Sequence, residues 1–287
     1  EIDRTEHMRR DFIANVSHEL RTPLTVITGF LEQLTSDEAP TGDATRHFLR
    51  LMSEQAARMN RLVADLLTAC REAEKDDALR GVLLASANPK LFCPGLDLVS
   101  LIEYDRPSLG AFMGRFAEVM WALYEMKKPV VAAVNGHAVA GGCVLALTAD
   151  FRVLRRGGVQ VCLNEVKVGV PLPWPVTLLL RQEVAPQALS KVALLGRNFA
   201  DEEALAVGLV HELADAEGFE AACLTRLQEF AEKDAHAFGV TKRYLRSAAI
   251  AAVRTQEKQA VTDFLDGWFS EATRRRMQET VASLAKR

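Results

Sequence analysis

Pro129-Val-Val-Ala-Ala-Val-Asn-Gly-His-Ala-Val-Ala-Gly-Gly-Cys143 is the stretch of sequence that decides the fold class of most of the chain. Its continuous apolar run, residues 129–134, predicts a buried strand, because a strand covered on both faces has no polar side. The glycine-rich turn that follows leads into a helical pattern over Ala140–Ala149. A strand, a turn and a helix in this order are typical of a layered α/β protein.

The same alternation continues on both sides of this stretch. Gly81–Ser86 is a second continuous apolar run and predicts another buried strand. Helical patterns cover Leu109–Met126, Val176–Arg181, Glu202–Val207, Phe219–Lys233 and Val240–Lys286. We therefore expect an α/β body over residues 72–287.

Residues 1–71 follow a different pattern, with apolar residues at steps of three or four. Two such stripes, Ile13–Leu34 and Phe48–Leu66, are separated by Pro40 and Gly42, which predicts an antiparallel helical hairpin. Two helices cannot enclose a core, so two hairpins are expected to form a four-helix bundle on dimerisation. The second helix has no breaker before Asp77 and can continue into the body.

Composition excludes several classes of protein. The net charge of −3 gives no basic footprint, so a nucleic-acid partner is not expected without a strong motif, and no apolar run reaches the length of a membrane span. The five cysteines have neither metal-ligand nor disulfide-framework spacing, so we expect reduced thiols and no metal site. Because the first residues do not resemble a signal peptide, we expect a cytoplasmic protein.

Three segments of the body carry candidate chemistry. A Pro-Gly turn within Phe92–Leu98 and the glycine-rich turn of 135–143 both leave backbone N–H groups free. Two such sources can converge on one oxygen as an oxyanion hole. The third segment, Leu163–Pro171, places the carboxylate of Glu165 in apolar surroundings, where burial raises its pKa toward that of a useful base.

In order and spacing, these segments resemble the crotonase (enoyl-CoA hydratase/isomerase) superfamily, and LNEVKVGVPLP, residues 163–173, is most similar to Δ3,Δ2-enoyl-CoA isomerases. The resemblance implies Glu165 as the base and the N–H groups of Leu96 and Gly141 as the oxyanion hole. It implies an acyl-CoA site lined by Cys93, Pro94, Gly95, Asp97 and Asn164. Family hydratases carry a second glutamate where this chain has Val144, which favours isomerisation. The resemblance implies no cofactor beyond the CoA of the substrate, and trimers or hexamers of the body.

The hairpin contains FIANVSHELRTPLTVITGFLEQL, residues 12–34. Residues 7–71 resemble the dimerisation and phosphoacceptor hairpin of sensor histidine kinases. The resemblance implies His18 as the phosphoacceptor, Glu19 as its base, Thr22 as the residue that positions water, and a response regulator as partner. Nothing after Arg71 resembles the ATP-binding domain of such kinases, so we expect no autophosphorylation.

The two resemblances together predict a fusion of a phosphoacceptor hairpin (1–71) with a crotonase-like body (72–287) that lacks the family's opening strand. Three functions remain open from the sequence. The body is an enoyl-CoA isomerase, or the chain is a two-component phosphotransfer or phosphatase module, or the body is an inactive scaffold.

Overall fold

The structure, a computed structural model, describes residues 60–284. The first helix of the expected hairpin, with His18, Glu19 and Thr22, lies outside these residues. Residues 60–75 form helix α1, which passes the expected boundary at residues 71–72 without a break. Within the described residues the helix therefore crosses the expected boundary without a break, which agrees with the absence of a breaker before Asp77.

Within residues 60–284, eight strands form two four-stranded sheets. In chain order they are β1 (Val82–Ala85), β2 (Leu91–Cys93), β3 (Val130–Val134), β4 (His137–Val139), β5 (Phe151–Arg155), β6 (Gln160–Cys162), β7 (Phe199–Ala200) and β8 (Glu212–Ala214). The first sheet has the order β1-β3-β5-β8 and is parallel throughout. The second has the order β2-β4-β6-β7, in which only the β6–β7 pair is antiparallel.

In the described part of the chain, eight further helices pack around the sheets. They are α2 (Leu98–Leu101), α3 (Arg106–Glu125), α4 (Gly141–Leu147), α5 (Trp174–Glu183), α6 (Asp201–Ala206), α7 (Phe219–Ala231), α8 (Ala235–Phe269) and α9 (Glu271–Leu284). Shorter turns of 3-10 and π geometry occupy Glu165–Val168, Pro186–Ala188 and Ser190–Leu194. The C-terminal pattern, predicted as almost continuous helix, is interrupted at Ser270, whose backbone is extended between α8 and α9.

Strand β3 shows why the run at 129–134 is apolar at every position. Val130, Ala132 and Val134 belong to the main core, whereas Val131 and Ala133 belong to a second cluster that includes residues of α7. Alternate residues thus face opposite sides of the sheet, and both sides are covered. The prediction of a strand buried on two faces is confirmed.

The chain passes from the first sheet to the second three times, from β1 to β2, from β3 to β4 and from β5 to β6. At the second crossing a side chain on Gly136 would lie 2.3 Å from the backbone carbon of Lys90. Strand β4 begins at the next residue and pairs with β2. The sequence predicted only a turn here, because three residues are too few to show a strand pattern.

Helix α1 packs into the body. Leu67 and Cys70 are buried in the main core. A guanidinium nitrogen of Arg71 lies 3.3 Å from the Glu118 carboxylate on α3, and Glu74 accepts a hydrogen bond of 3.1 Å from the backbone N–H of Lys127. The helix therefore contributes core residues to the α/β body.

A buried charge cluster anchors the long helix α8. The Asp150 carboxylate lies 2.6 Å from Lys242 Nζ and 2.9 Å from an Arg246 guanidinium nitrogen, and all three side chains are at least nine-tenths buried. Asp150 also accepts the backbone N–H of Val130, at 2.8 Å. Buried charges are tolerated when they are paired and hydrogen-bonded in this way. The start of α8 is thereby fixed to the first sheet.

Candidate active site

The three predicted site segments converge because they follow three neighbouring strands. Strands β2, β4 and β6 are adjacent and parallel, with Cys93 paired to Ala138 and Val139 paired to Cys162. Parallel strands end at the same edge of a sheet, and in such sheets that edge is where ligands bind. The Pro-Gly turn, the glycine-rich turn and the Glu165 segment leave from this edge, so the sheet itself assembles the candidate site.

The first segment is bent by Gly95, which has a φ of +97°. A side chain there would lie 2.8 Å from the carbonyl oxygen of Val139 and 3.4 Å from the backbone nitrogen of Gly141. Only glycine tolerates both the conformation and the close approach. The turn therefore places the backbone of Gly95 and Leu96 directly beside the second segment.

The second segment turns sharply at Ala140. Its N–H extends the β4–β6 ladder by donating to the carbonyl of Cys162 at 2.9 Å, and its own φ is then +48° with a ψ of −119°. A non-glycine residue in this region of backbone space is strained, and such strain occurs where a site requires it. Helix α4 starts at the next residue, so the N–H groups of Gly141 and Gly142 belong to its first turn, where backbone donors have no partner within the helix.

Two backbone donors remain available at this junction. Among residues 60–284 no hydrogen-bond partner occurs for the N–H of Leu96 or for the N–H of Gly141. Leu96 and Gly141 are neighbours, because a side chain on Gly141 would lie 3.3 Å from Cγ and Cδ2 of Leu96. Adjacent unpaired N–H groups are suited to stabilise an oxygen that gains negative charge during a reaction.

The third segment carries the carboxylate. Glu165 opens the 3-10 turn Glu165–Val168, and its Oε2 atom is buried without a hydrogen-bond partner in the described part of the chain. Burial raises its pKa to about 7, although its own backbone N–H partly offsets the effect. A carboxylate with this pKa is half ionised near neutral pH and can both accept and return a proton.

Two cysteine thiols, those of Cys143 and Cys162, lie near Glu165, and Lys167 lies on the same turn. The negative charge of Glu165 is among the causes that raise the thiol pKa of Cys143 and Cys162, so both thiols lie within its electrostatic reach and stay protonated. Val144, the neighbour of Cys143 on α4, is buried in the core. The position at which family hydratases have a glutamate thus contributes a buried aliphatic side chain.

The remaining predicted site residues lie on the same segments. Cys93 is half-buried at the end of β2, where burial raises the pKa of its thiol and the backbone N–H of Gly95 partly offsets this rise. Pro94 follows it, and Asn164 directly precedes the Glu165 turn. The Asp97 carboxylate caps helix α2, accepting the N–H groups of Val99 and Ser100 and the Ser100 hydroxyl at 2.6 Å. Asp97 therefore shapes the loop through its cap.

Two features of the site were not predicted from the sequence. Ala140 looks unremarkable, because a positive φ on alanine leaves no compositional signal. Thr273, more than 100 residues away, donates its hydroxyl to the carbonyl of Gly169 at the end of the Glu165 turn. The only local hint is Ser270, three residues before Thr273, whose hydroxyl accepts the Thr273 N–H at the start of α9.

Comparisons with known proteins match both parts of the chain. Residues 54–283 match the family model of enoyl-CoA hydratase/isomerase, and residues 8–73 match that of the His Kinase A (phospho-acceptor) domain. The two matches overlap over residues 54–73, which include most of α1. The resemblance predicted from residues 7–71 is thereby confirmed at the level of the domain family.

The human mitochondrial enoyl-CoA delta isomerase 1 is 29% identical over 205 residues, which are 71% of this chain and 68% of that protein. Carnitinyl-CoA dehydratase from Salmonella arizonae is 35% identical over 147 residues, covering 49% of this chain and 56% of the relative. The crystal structure of human mitochondrial Δ3-Δ2-enoyl-CoA isomerase superposes with a TM-score of 0.76 at 27% identity, over 79% of this chain and 88% of that one.

These findings confirm the predicted crotonase-like α/β fold and an enoyl-CoA isomerase-like body. No helix within residues 60–284 combines the length and the apolar character needed to cross a membrane. The family match extends over most of the chain and includes the three segments that meet at the ends of β2, β4 and β6. The chain belongs to the enoyl-CoA hydratase/isomerase family.

Proposed function

We propose that the body shifts the double bond of a 3-enoyl-CoA to the 2-position through a thioester enolate. The observation that carries the proposal is the carboxylate of Glu165, whose Oε2 atom is buried without a partner in the described part of the chain and whose pKa is raised to about 7. It follows β6 in the same sheet whose strands β2 and β4 precede the two unpaired N–H donors. The donors would hold the thioester oxygen, and Glu165 would move the proton. Residues Cys93, Pro94, Gly95, Asp97 and Asn164 would line the acyl-CoA site.

The step balances with one proton carrier. Glu165 removes a proton from C2, and the electron pair of that C–H bond forms the C1=C2 bond while the carbonyl electrons move to oxygen. The N–H groups of Leu96 and Gly141 would stabilise this oxygen, each such donor contributing about 3–4 kcal/mol in related sites. The protonated Glu165 then delivers the proton to C4, the double bond moves to C2=C3, and the carbonyl re-forms. No metal or redox group takes part in this scheme.

Val144 supports isomerisation over hydration. Adding water across a double bond requires one group that activates the water and another that delivers a proton to the α-carbon. Val144 is buried and apolar, so it supplies neither. One carboxylate suffices to carry a proton between two carbons of the same substrate.

Glu165→Gln tests the proposal. We expect conversion of a 3-enoyl-CoA to its 2-trans isomer, followed by the absorbance of the conjugated thioester, to be abolished. Acyl-CoA binding, measured by calorimetry, should stay within a few-fold. Glu118→Gln, a change at an exposed acid on α3, is the matched control and should leave both unchanged. Full activity in Glu165→Gln would show that another group is the base, and tight acyl-CoA binding without turnover in the parent would favour the inactive scaffold.

A second function is favoured by the match of residues 8–73 to the phosphoacceptor domain. We infer that His18 accepts a phosphoryl group from a partner, with Glu19 as its base and Thr22 positioning water for the reverse reaction. Labelling should require a separate kinase ATP-binding domain or a phosphorylated response regulator, and His18→Ala should abolish it. Label that appears with ATP and Mg²⁺ alone would contradict this dependence on a partner.

Both matches lead us to expect an oligomer. Hairpins that pair in a four-helix bundle favour two-fold contacts, and the crotonase resemblance implies trimers, so a closed hexamer satisfies both. Light scattering on the purified chain tests this expectation. A stable, monodisperse monomer would contradict it.

A further inference from the structure

We propose that Thr273, at the start of α9, is a positioning residue that fixes the Glu165 turn through a hydrogen bond to the carbonyl of Gly169. The inference rests on the proposed function, because it concerns the group assigned there as the base. Its evidence is the set of contacts between the turn and the C-terminal helices.

The carboxylate of Glu165 depends on its backbone for its position. Its Oε2 atom has no partner within residues 60–284, and the one hydrogen-bond donor that lowers its pKa is its own backbone N–H. The turn is closed by its own bonds: the N–H of Lys167 donates to the carbonyl of Asn164 at 3.0 Å, and that of Val170 donates to the carbonyl of Glu165 at 3.0 Å. Whatever holds the end of this turn therefore also places the carboxylate.

The end of the turn is held by Thr273. Gly169 has a φ of +83°, and the Thr273 hydroxyl donates to its carbonyl oxygen at 2.8 Å. Thr273 is only 5% exposed. A side chain on Gly169 would lie 3.2 Å from the Thr273 hydroxyl oxygen and 3.3 Å from Cδ of Arg276. The Glu165 turn and the start of helix α9 are thus in direct contact.

The Thr273 hydroxyl is itself fixed. The Ser270 hydroxyl lies 3.0 Å from it and 2.9 Å from the carbonyl of Gly267. Gly267 in turn packs on Pro171, since a side chain on Gly267 would lie 2.8 Å from the proline ring. The segment 267–273 therefore holds the chain at both Gly169 and Pro171, and the hydroxyl that donates to Gly169 has little freedom to move.

Arg274, the residue after Thr273, contacts the end of helix α2, which follows the loop of Leu96. Arg274 donates from its guanidinium to the carbonyl of Ile102 at 2.5 Å. Ile102 ends helix α2, which begins directly after the loop that carries Leu96. Consecutive residues of α9 thus contact the segment of the base and the end of the helix that follows the segment of an oxyanion donor. A change at Thr273 would therefore alter the spacing between the Glu165 carboxylate and the two N–H donors, although Thr273 is more than 100 residues away in sequence.

Thr273→Val removes the donor at nearly constant volume, and Thr273→Ser restores it. Thr262→Val, at an exposed hydroxyl on α8 that bonds only within its own helix, is the matched control. In the full chain we expect Thr273→Val to lower kcat about 10- to 100-fold, with KM within about two-fold, because small misplacements of a catalytic group cost this much. Thr273→Ser should recover most of the rate. Thr273→Ala removes the same donor and replaces the valine variant if that variant does not fold.

Two further readouts separate positioning from a general loss of structure. As the turn loosens, water reaches the carboxylate, so the apparent pKa of Glu165 should fall from about 7 toward its ordinary range. Neither substitution alters the nearby charged groups, Lys167 on the turn and Arg276 on α9. Amide exchange of Val170, whose N–H bonds the Glu165 carbonyl, should become faster in Thr273→Val and stay unchanged in Thr262→Val.

These readouts need no turnover. The pKa can be measured by infrared difference titration against Glu165→Gln, and exchange can be measured by mass spectrometry. If the parent does not isomerise 3-enoyl-CoA, the proposed function fails, while exchange and titration still decide the role of Thr273. A Thr273→Val protein with unchanged Val170 exchange and an unchanged Glu165 pKa would overturn the inference.

Discussion

The backbone of Gly142 lies against the carbonyl group of Cys93. A side chain on Gly142 would lie 2.0 Å from the Cys93 oxygen and 2.7 Å from its carbonyl carbon, distances that no folded chain accommodates. The second glycine of the Gly141-Gly142 pair is therefore required for contact between helix α4 and strand β2. This contact brings the two proposed oxyanion donors together.

Gly142→Ala should consequently separate the donors. We expect at least a 100-fold loss of kcat/KM for 3-enoyl-CoA, comparable to losing an oxyanion-hole donor, together with a lower Tm. Gly114→Ala is the control, because nothing lies within 4 Å of a side chain there and the position is within helix α3. That variant should be unaffected in activity and slightly more stable, since alanine is favoured over glycine in helices. Normal activity in Gly142→Ala would contradict the assigned geometry.

The pKa of Glu165 makes stability depend on pH. Its folded value of about 7 lies above the ordinary value of 4.5, so the folded protein binds this proton more tightly than the unfolded chain. The contribution is fully present below about pH 4.5 and is lost as the pH rises through 7. The Glu165→Gln variant does not lose this stability, because glutamine does not titrate. We expect its advantage in free energy of unfolding over the parent to grow by about 2–3 kcal/mol between pH 5 and pH 8.

Urea unfolding of both proteins at several pH values measures this difference. Glu118→Gln, at an exposed carboxylate, provides the control and should follow the parent at every pH. A parent and a Glu165→Gln variant whose stabilities stay parallel from pH 5 to 8 would show that Glu165 is not buried. The ionisation of Glu165 also predicts that kcat/KM for isomerisation rises as the pH passes through 7, because the base must be ionised to accept a proton.

Val144→Glu introduces a second carboxylate beside the first. Since Cys143 on the same helix is within electrostatic reach of Glu165, we expect the new charge to raise the pKa of Glu165 further and to slow isomerisation at neutral pH. The paired carboxylates should also permit slow hydration, detectable as 3-hydroxyacyl-CoA by mass spectrometry. Val144→Gln, uncharged and of the same length, is the control and should show no hydration. Faster isomerisation in Val144→Glu would contradict the single-base scheme.

Helix α1 should be necessary for a stable body. Leu67 is buried in the main core, so Leu67→Ala should destabilise the body by about 2–4 kcal/mol, the usual range for such a cavity. Thr68→Ala changes the adjacent exposed residue and should cost less than about 0.5 kcal/mol. Denaturant unfolding followed by a signal from the body, such as tryptophan fluorescence, measures both. Equal stabilities would mean that α1 is not part of the cooperative unit.

The sequence predicted the fold where the pattern was long and continuous. The β3 run and helix α3 lie close to their predicted positions, since each has one dominant periodicity over its length. Strands β4, β5, β6, β7 and β8 were not predicted. Four of them have only two or three residues and give no measurable period, and the pairing of all five depends on distant segments. Within the site, the three candidate segments could be identified from their turns, their glycines and the lone carboxylate of Glu165, but not the strands that bring them together.

What could not be predicted are the features set by tertiary contact. The positive φ of Ala140 arises from the demand to end a strand and start a helix within one residue. The bond from Thr273 to Gly169 joins segments 104 residues apart. The unpartnered state of Glu165 is likewise a property of its surroundings and not of its own segment. Each needs the packed structure, because no local sequence rule specifies it.

Helix α1 lies where the two family matches overlap, so its rotation about its own axis matters for any helical segment that continues it. A helix advances about 100° and 1.5 Å per residue, so one residue inserted near position 60 would rotate any helical segment continuous with α1 by about a quarter turn relative to the buried Leu67. An insertion of seven residues would nearly restore the angle, at a distance of about 10 Å. The phase of one helix, and not the length of a flexible tether, would then dictate how an attached hairpin faces the enzyme.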